Sequence, residues 1–159
     1  MTNATGSFTV TGGSEEAYQE FEGGVKLTRV TGTQRFSGDI EGEGAVDWLM
    51  CYRPDGTARF VGLQQVSGSI GGRTGSFVIE ATGDQDGKQS KATWTVLAGS
   101  ATGDLAGLIG EGAFEAPGVR RSRTGSSTNS AKPIFRRRVA LEDETRTVDL
   151  PAGASYQSA

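Results

Sequence analysis

The sequence predicts an all-β protein, a small antiparallel up-and-down β-barrel or a closely related sandwich. Between Phe36 and Tyr52 the even positions hold large apolar residues and glycines, while the odd positions begin with a serine and then three acidic residues. Side chains alternate between the faces of a strand, so one face here is apolar and the other largely charged. The 25 glycines of the chain are roughly twice the usual share. Glycines on one face of a strand allow the bends by which a sheet curls.

Similar segments, bounded by turn residues, recur along the chain as far as about Glu115. Seven of them are predicted strands: 5–11, 25–36, 40–53, 57–67, 74–82, 91–97 and 108–114. Residues 12–16 predict a loop, and residues 15–21 are the one place where a turn or two of helix is compatible with the sequence. Pro54-Asp55-Gly56 and Asp86-Gly87 are typical of tight turns between antiparallel strands.

The character of the chain changes after Pro117. Residues 118–159 hold eight Lys or Arg and four Asp or Glu, a net charge of +4, which leaves −7 for residues 1–117. Low hydrophobicity and runs of like charge favour disorder. We therefore expect a barrel domain over 1–117 and a divergent, largely irregular or disordered tail over 118–159. At most one short strand is expected in the tail, at 134–139, where it could close the barrel.

Several kinds of chemistry are excluded by composition. The chain has no histidine and one cysteine, so His-based metal sites, His general bases and an intramolecular disulfide are ruled out. We expect no metal and no cofactor. The acidic body disfavours nucleic-acid binding, and no segment is apolar for long enough to cross a membrane as a helix. No secretory signal is visible at the N-terminus, so a cytoplasmic location is expected.

Candidate ligand contacts come from two sets of residues in the predicted strands. The aromatic set either packs the interior or lines an apolar cavity, and consists of Trp48, Tyr52, Phe60, Phe77 and Trp94. The polar set interrupts apolar runs, and consists of Arg59, Gln64 and Glu80. If one of these polar residues points inward, burial would shift its pKa or force it to pair. The alternative is that they lie on the solvent face.

The motifs together resemble the bacterial family called domain of unknown function thirty-two twenty-four (DUF3224). The resemblance covers about residues 4–115 and is carried by Leu27-Thr28-Arg29, by the segment from Phe36 to Gly44, by Phe60-Val61-Gly62-Leu63, by Gly71 to Phe77, by Ala92 to Val96 and by Gly99 to Gly112. It implies an eight-stranded barrel similar to those of the allene oxide cyclase type. That wider group includes cyclases and isomerases that act on hydrophobic small molecules, usually as oligomers. Family members usually end in a further strand, which is not visible after Gly118.

Two functions remain open from the sequence. The first is binding of a hydrophobic small molecule in a barrel pocket, with a cyclase or isomerase activity compatible with it. The second is a non-catalytic structural or protein-interaction barrel with a packed interior. The missing final strand would leave two sheet edges exposed, which favours a homo-oligomer, most simply a dimer. The sequence identifies neither the ligand nor whether any reaction is catalysed.

Overall fold

The computed structural model describes residues 4–117 and 139–141, and these residues form one antiparallel sheet. Each strand pairs with the next along the chain, in the order β1 to β8. The strands are β1 Gly6–Glu20, β2 Lys26–Gly38, β3 Ile40–Tyr52, β4 Ala58–Ile70, β5 Arg73–Gln85, β6 Gln89–Val96, β7 Leu108–Pro117 and β8 Val139–Leu141. One short 3-10 turn, η1 Gly103–Leu105, lies between β6 and β7. The prediction of an all-β, up-and-down antiparallel fold is confirmed.

Strand β1 is longer than the sequence predicts. The predicted loop at 12–16 and the helical turns allowed at 15–21 are both wrong, because β1 continues to Glu20 and pairs with β2 throughout. The pairing contains two register shifts, one between Val10 and Gly12 and one between Ala17 and Gln19. A register shift lets a strand absorb an extra residue without leaving the sheet. The Gly-Gly-Ser-Glu-Glu segment, which resembles a turn, is therefore accommodated as irregular strand.

The alternation read from the sequence places the core on one face of the sheet. The buried apolar side chains lie at alternate positions of the strands, and the largest are Phe8, Phe36, Ile40, Met50, Phe60, Val66, Phe77, Ile79, Trp94, Leu105, Leu108 and Phe114. Leu105 comes from η1, which packs against β5. This face is the inner, concave one, and the opposite face carries most of the charged side chains.

Large aromatic side chains on the inner face lie opposite glycines. The four directly paired examples are Phe36 with Gly42, Trp48 with Gly62, Phe60 with Gly83, and Trp94 with Gly112. A Cβ atom at Gly62 would stand 2.2 Å from the backbone oxygen of Asp47 and 2.5 Å from Cδ1 of Trp48, closer than non-bonded atoms approach. Glycine is therefore required at this position because the backbone of β3 and the indole together occupy the space of a side chain.

The sheet is rolled. The ring of Phe8 on β1 lies 5.7 Å from that of Phe114 on β7, at 87°. When directly paired residues are followed from Phe114 across β6, β5, β4 and β3, they lead to Thr28 on β2. Phe8, however, pairs with Phe36, which lies eight residues further along β2. Such a stagger accompanies the strand tilt of a barrel. Among the described residues no hydrogen-bonded pairing joins β1 to β7, so the sheet is barrel-like but not closed.

Strand β8 pairs with Leu108–Gly110 of β7. The sequence predicted a short strand at 134–139, and β8 overlaps it at Val139 alone, since residues 134–138 lie outside the described residues. The remainder of the predicted tail, 118–133 and 142–159, also lies outside them. The division of the chain at Pro117 stays a prediction.

Candidate functional site

Three polar side chains meet on the inner face near one end of the rolled sheet. The carboxylate oxygen Oε1 of Glu15 accepts a hydrogen bond from the hydroxyl of Thr28 at 2.7 Å and another from the phenol of Tyr52 at 2.6 Å. Thr28 is buried, Tyr52 is half-buried, and Glu15 is exposed. Bonds from hydroxyl groups to a carboxylate are short and strong. The three side chains, called the Glu15 cluster below, therefore form a fixed polar site that solvent can reach.

The register shift near the start of β1 is what turns Glu15 inward. Phe8 faces the core, and unbroken alternation from there would send the odd position 15 outward. The shift between Val10 and Gly12 changes the parity, so that Glu15 lies opposite Val30, which in turn lies opposite Trp48. Re-aiming a side chain is a known use of such irregularities. Sequence reasoning missed Glu15 because it placed this residue in a loop.

Trp48 forms the wall beside this cluster. Its ring stacks on Phe60, with centroids 5.1 Å apart and planes at 26°, and on Phe114, at 6.1 Å and 13°. Its indole Nε1 is buried and has no hydrogen-bond partner within the described part of the chain. A buried donor of this kind is unusual in proteins. The wall is thus apolar with one polar atom set into it.

A cation stands at the edge of the site. The ammonium group of Lys26 lies 5.1 Å from the centroid of the Tyr52 ring, within the range of a cation–π interaction. Lys26 and Tyr52 are directly paired on β2 and β3. The same tyrosine therefore contacts an ammonium group with its ring and a carboxylate with its hydroxyl.

A second polar pair lies deeper in the core. The side-chain amide of Gln64 donates a hydrogen bond to the carbonyl oxygen Oε1 of Gln34. Both residues are buried, at 3% and 4% exposure, and they come from β4 and β2, on either side of β3. Gln34 lies opposite Gly44 of β3, which has no side chain to separate them. This pair is a buried structural contact, and the sequence analysis had singled out Gln64 but not Gln34.

The eight residues predicted as ligand contacts do not all share one face. Tyr52 belongs to the Glu15 cluster and Trp48 lies beside it, whereas Phe60, Gln64, Phe77 and Trp94 are buried on the same face. The two others lie on the outer, exposed face.

Both outer residues neighbour inward ones. Arg59 precedes the buried Phe60, and its Nη1 contacts Asp84 at 2.7 Å. Glu80 lies between the buried Ile79 and Ala81. Neither can meet the aromatic wall, so the inward placement considered for them is corrected. The predicted ligand-binding role of the set stays a prediction.

Perturbed carboxyls lie in the turns and on the outer face, away from this cluster. Hydrogen bonds from the backbone N–H groups of Lys88 and Gln89 lower the pKa of the Asp86 carboxyl. The hydroxyl and backbone N–H of Thr57 lower the pKa of Asp55 in the same way. Both aspartates follow the last residues of a strand and cap a hairpin turn. Their role is structural.

Within residues 4–117 and 139–141, no group of three or more Cys, Asp or Glu side chains is arranged to hold a metal ion. The same residues contain no helix of the length and apolarity needed to cross a membrane.

These features define a class of protein: a single antiparallel sheet, rolled into a barrel-like shape, with aromatic and polar groups on its concave face. The family model described as "Protein of unknown function (DUF3224)" matches residues 4–123. The chain belongs to this family, as the resemblance in its motifs indicated.

One solved relative carries the comparison further. The crystal structure of a protein of unknown function from the same family, from Shewanella oneidensis MR-1, is 26% identical and has a TM-score of 0.64. The match covers 89% of this chain and 98% of that one. No curated protein matches this chain. The likeness to allene oxide cyclase barrels stays a prediction.

Proposed function

We propose that this protein binds a hydrophobic small molecule on the concave face of its rolled sheet, beside Trp48. The observation that carries the proposal is the Glu15 cluster, which places fixed polar groups on a face whose side chains are mostly apolar. Ligand sites in proteins usually combine apolar walls with a few convergent polar groups. Val10 and Glu15, which lie on this face, are exposed to solvent, so a ligand could reach it from the β1 side.

The reaction class that such a site suits is cyclisation or isomerisation. These reactions need a flexible substrate to be held in a reactive shape, and an apolar wall such as Trp48 with its stacked neighbours can do this. A carboxylate bonded to a phenol, as in Glu15 and Tyr52, can also pass a proton to or from a substrate. Catalysis is the more specific part of the proposal, because it requires that a ligand binds at this site first.

A barrel with a packed interior and no ligand is the second candidate. The observation in its favour is the stack of Phe60, Trp48 and Phe114, which fills the centre of the concave face. The Gln34–Gln64 pair supports it as well, because these amides bond to each other and offer little to a ligand. In that case the function would lie on the outer surface.

Binding can be tested directly on the full chain. Native protein purified under mild conditions would be analysed by mass spectrometry for retained compounds. In parallel, the neutral apolar dye N-phenyl-1-naphthylamine would be titrated and its fluorescence followed. We expect saturable binding of the dye, because an apolar wall open to solvent gains from being covered.

The two tryptophans of the chain localise the binding. In the variant Trp94→Phe only Trp48 emits, and the bound dye should quench it by energy transfer. In the matched variant Trp48→Phe, dye affinity should fall, because the wall is reduced. If no compound is retained and the dye does not bind the wild-type protein, the packed-interior function replaces this proposal.

A further inference from the structure

The outer face of the sheet carries a stripe of exposed apolar side chains, called the outer stripe below. It consists of Leu49 on β3, Val61 and Leu63 on β4, and Leu97 directly after β6. Each of the four is between 42% and 47% exposed, and they are half of the eight large apolar residues exposed in the described part of the chain. Their exposed surface is about 300 Å² in total, a size at which a patch on a monomer commonly marks an interaction site.

Strand pairing makes the outer stripe continuous. Leu49 and Val61 are directly paired across β3 and β4, and Leu63 lies two residues from Val61, on the same side of β4. Val78 of β5 is half-buried and lies diagonally opposite Leu63, within reach of a long side chain. The N–H of Leu97 in turn donates to the carbonyl oxygen of Val78 at 2.8 Å. The stripe therefore runs diagonally from β3 to the end of β6.

The charges beside the stripe are mostly neutralised within the chain. Arg29 lies opposite Leu49 and forms an ion pair with Asp47 at 2.5 Å. On the other side of the stripe, Arg59 contacts Asp84 at 2.7 Å. Exposed ion pairs of this kind are screened by solvent, so they offer little to a partner of strong net charge. The surface instead fits a partner face that is itself apolar and carries compensated charges.

We propose that the outer stripe binds the same stripe of a second copy of this chain. A two-fold axis that runs along the strands, between β3 and β4, places β3 of one copy over β4 of the other and β2 over β5. Leu49 of each copy then lies over Val61 of the other. No ion pair engages Glu80 of β5 among the described residues, and in this arrangement it faces β2 of the other copy, which carries Arg29. Two-fold pairs are the commonest arrangement of identical subunits.

This contact joins the two copies back to back. It goes beyond the proposed function, because it uses the opposite face of the sheet and leaves both concave faces free. It is also separate from the pairing of sheet edges expected from the sequence, which involves β1. The outer face is convex, so the contact is confined to the central strands. An interface of this size predicts a concentration-dependent association with a Kd of about 1 μM or higher.

The single cysteine of the chain reports this contact directly. Cys51 is half-buried and lies two residues from Leu49, on the same face of β3. In the back-to-back pair the two Cys51 residues are about 11 Å apart, from a strand spacing of about 4.8 Å and a sheet separation of about 10 Å. Pairing through the β1 edges would place them about 24 Å apart along the sheet. The cross-linker 1,4-bismaleimidobutane, which spans about the shorter distance, should therefore give a covalent dimer of the full chain.

Matched variants locate the contact. The double variant Leu49→Thr/Leu63→Thr keeps residues that suit an exposed strand. In sedimentation velocity it should raise the concentration at which the protein assembles by about tenfold or more, and it should lose the cross-link. Val10→Thr makes a comparable change at a residue of the edge strand β1 that is 41% exposed, and it should leave both the assembly and the cross-link unchanged.

The outcomes are distinguishable. A wild-type protein that is monomeric at every concentration overturns the inference. An assembled wild-type protein whose assembly resists the double variant, or is lost in Val10→Thr alone, shows that the copies meet through their edges and overturns it as well. The same holds if Cys51 reacts with N-ethylmaleimide but gives no covalent dimer in the assembled protein. If Cys51 does not react with N-ethylmaleimide, the sedimentation of the variants decides.

Discussion

Replacing Gln64 with leucine should lower the free energy of unfolding by about 1–3 kcal/mol, because it leaves the amide of Gln34 buried without its partner. Gln34 is 4% exposed and Gln64 3%, so water cannot replace the lost hydrogen bond. Gln34→Leu should cost a similar amount for the same reason. Leucine is one atom shorter than glutamine but branched, so the space at each position stays largely filled in either variant.

The double variant Gln34→Leu/Gln64→Leu should behave differently. It removes both amides together, so no polar group is left unsatisfied, and stability should return to within about 1 kcal/mol of the wild-type protein. The two substitutions are then non-additive by about 1 kcal/mol or more, within the range of couplings between residues in contact. The sign of this coupling distinguishes a paired buried contact from two independent polar residues.

Urea unfolding at equilibrium, followed by tryptophan fluorescence and repeated in the refolding direction, measures all four proteins. Gln65→Leu is the matched control, since Gln65 neighbours Gln64 but is exposed on the outer face, and it should change stability by less than about 0.5 kcal/mol. Single variants that are as stable as the wild-type protein, or a double variant whose loss equals the sum of the singles, would refute the reasoning.

Three further predictions concern the glycines, the turns and the sheet edges. Gly62→Ala should destabilise by about 1–3 kcal/mol through overpacking against the Asp47 backbone and the Trp48 ring. Gly12→Ala, whose Cβ would meet nothing closer than 3.4 Å, should be tolerated, and equal thermal midpoints for the two variants would contradict this. The hydrogen bonds to the Asp86 carboxylate stabilise the folded protein above the ordinary aspartate pKa of 3.8. This stabilisation is lost as the pH falls through the lowered pKa of the folded state, and Asp86→Ala should remove it at every pH. The gap between its thermal midpoint and that of the wild-type protein should therefore narrow below about pH 4, and a gap that stays constant from pH 7 to pH 3 would count against it. Because β1 pairs on one side only in the described part of the chain, we expect a dimer formed through sheet edges, and a concentration-independent monomer in sedimentation velocity would rule it out.

The seven long strands could be predicted because strand parity is a local property. Phe36 to Tyr52 alternate in the sequence and alternate in burial, and the turns at Asp55 and Asp86 lie where proline, aspartate and glycine indicated. The same rule could have placed Arg59 and Glu80 on the outside. Each lies next to an inward residue, and adjacent residues of a regular strand cannot share a face.

The Glu15 cluster could not be predicted, because it depends on an irregularity. Two glycines precede Ser14 and Glu15, and in sequence they indicate a turn as readily as a bulge. Only pairing with β2 decides between them, and that pairing brings Thr28 and Tyr52, distant in sequence, to the same carboxylate. Gln34 was missed for a related reason, since its partner Gln64 lies two strands away.

The pairing of Trp48 with Gly62 has a consequence for how the hairpin of β3 and β4 selects its alignment as it forms. A slip of one residue is penalised because it turns the apolar face outward, but a slip of two keeps every side chain on its own face and is not opposed by that pattern. Such a slip would set Trp48 opposite Phe60 or Gln64, where the indole would have no empty space to fill. The pairing of a large ring with a glycine therefore favours one alignment among those that the apolar pattern allows. In this way a hairpin rich in glycine can keep its two strands in a single register.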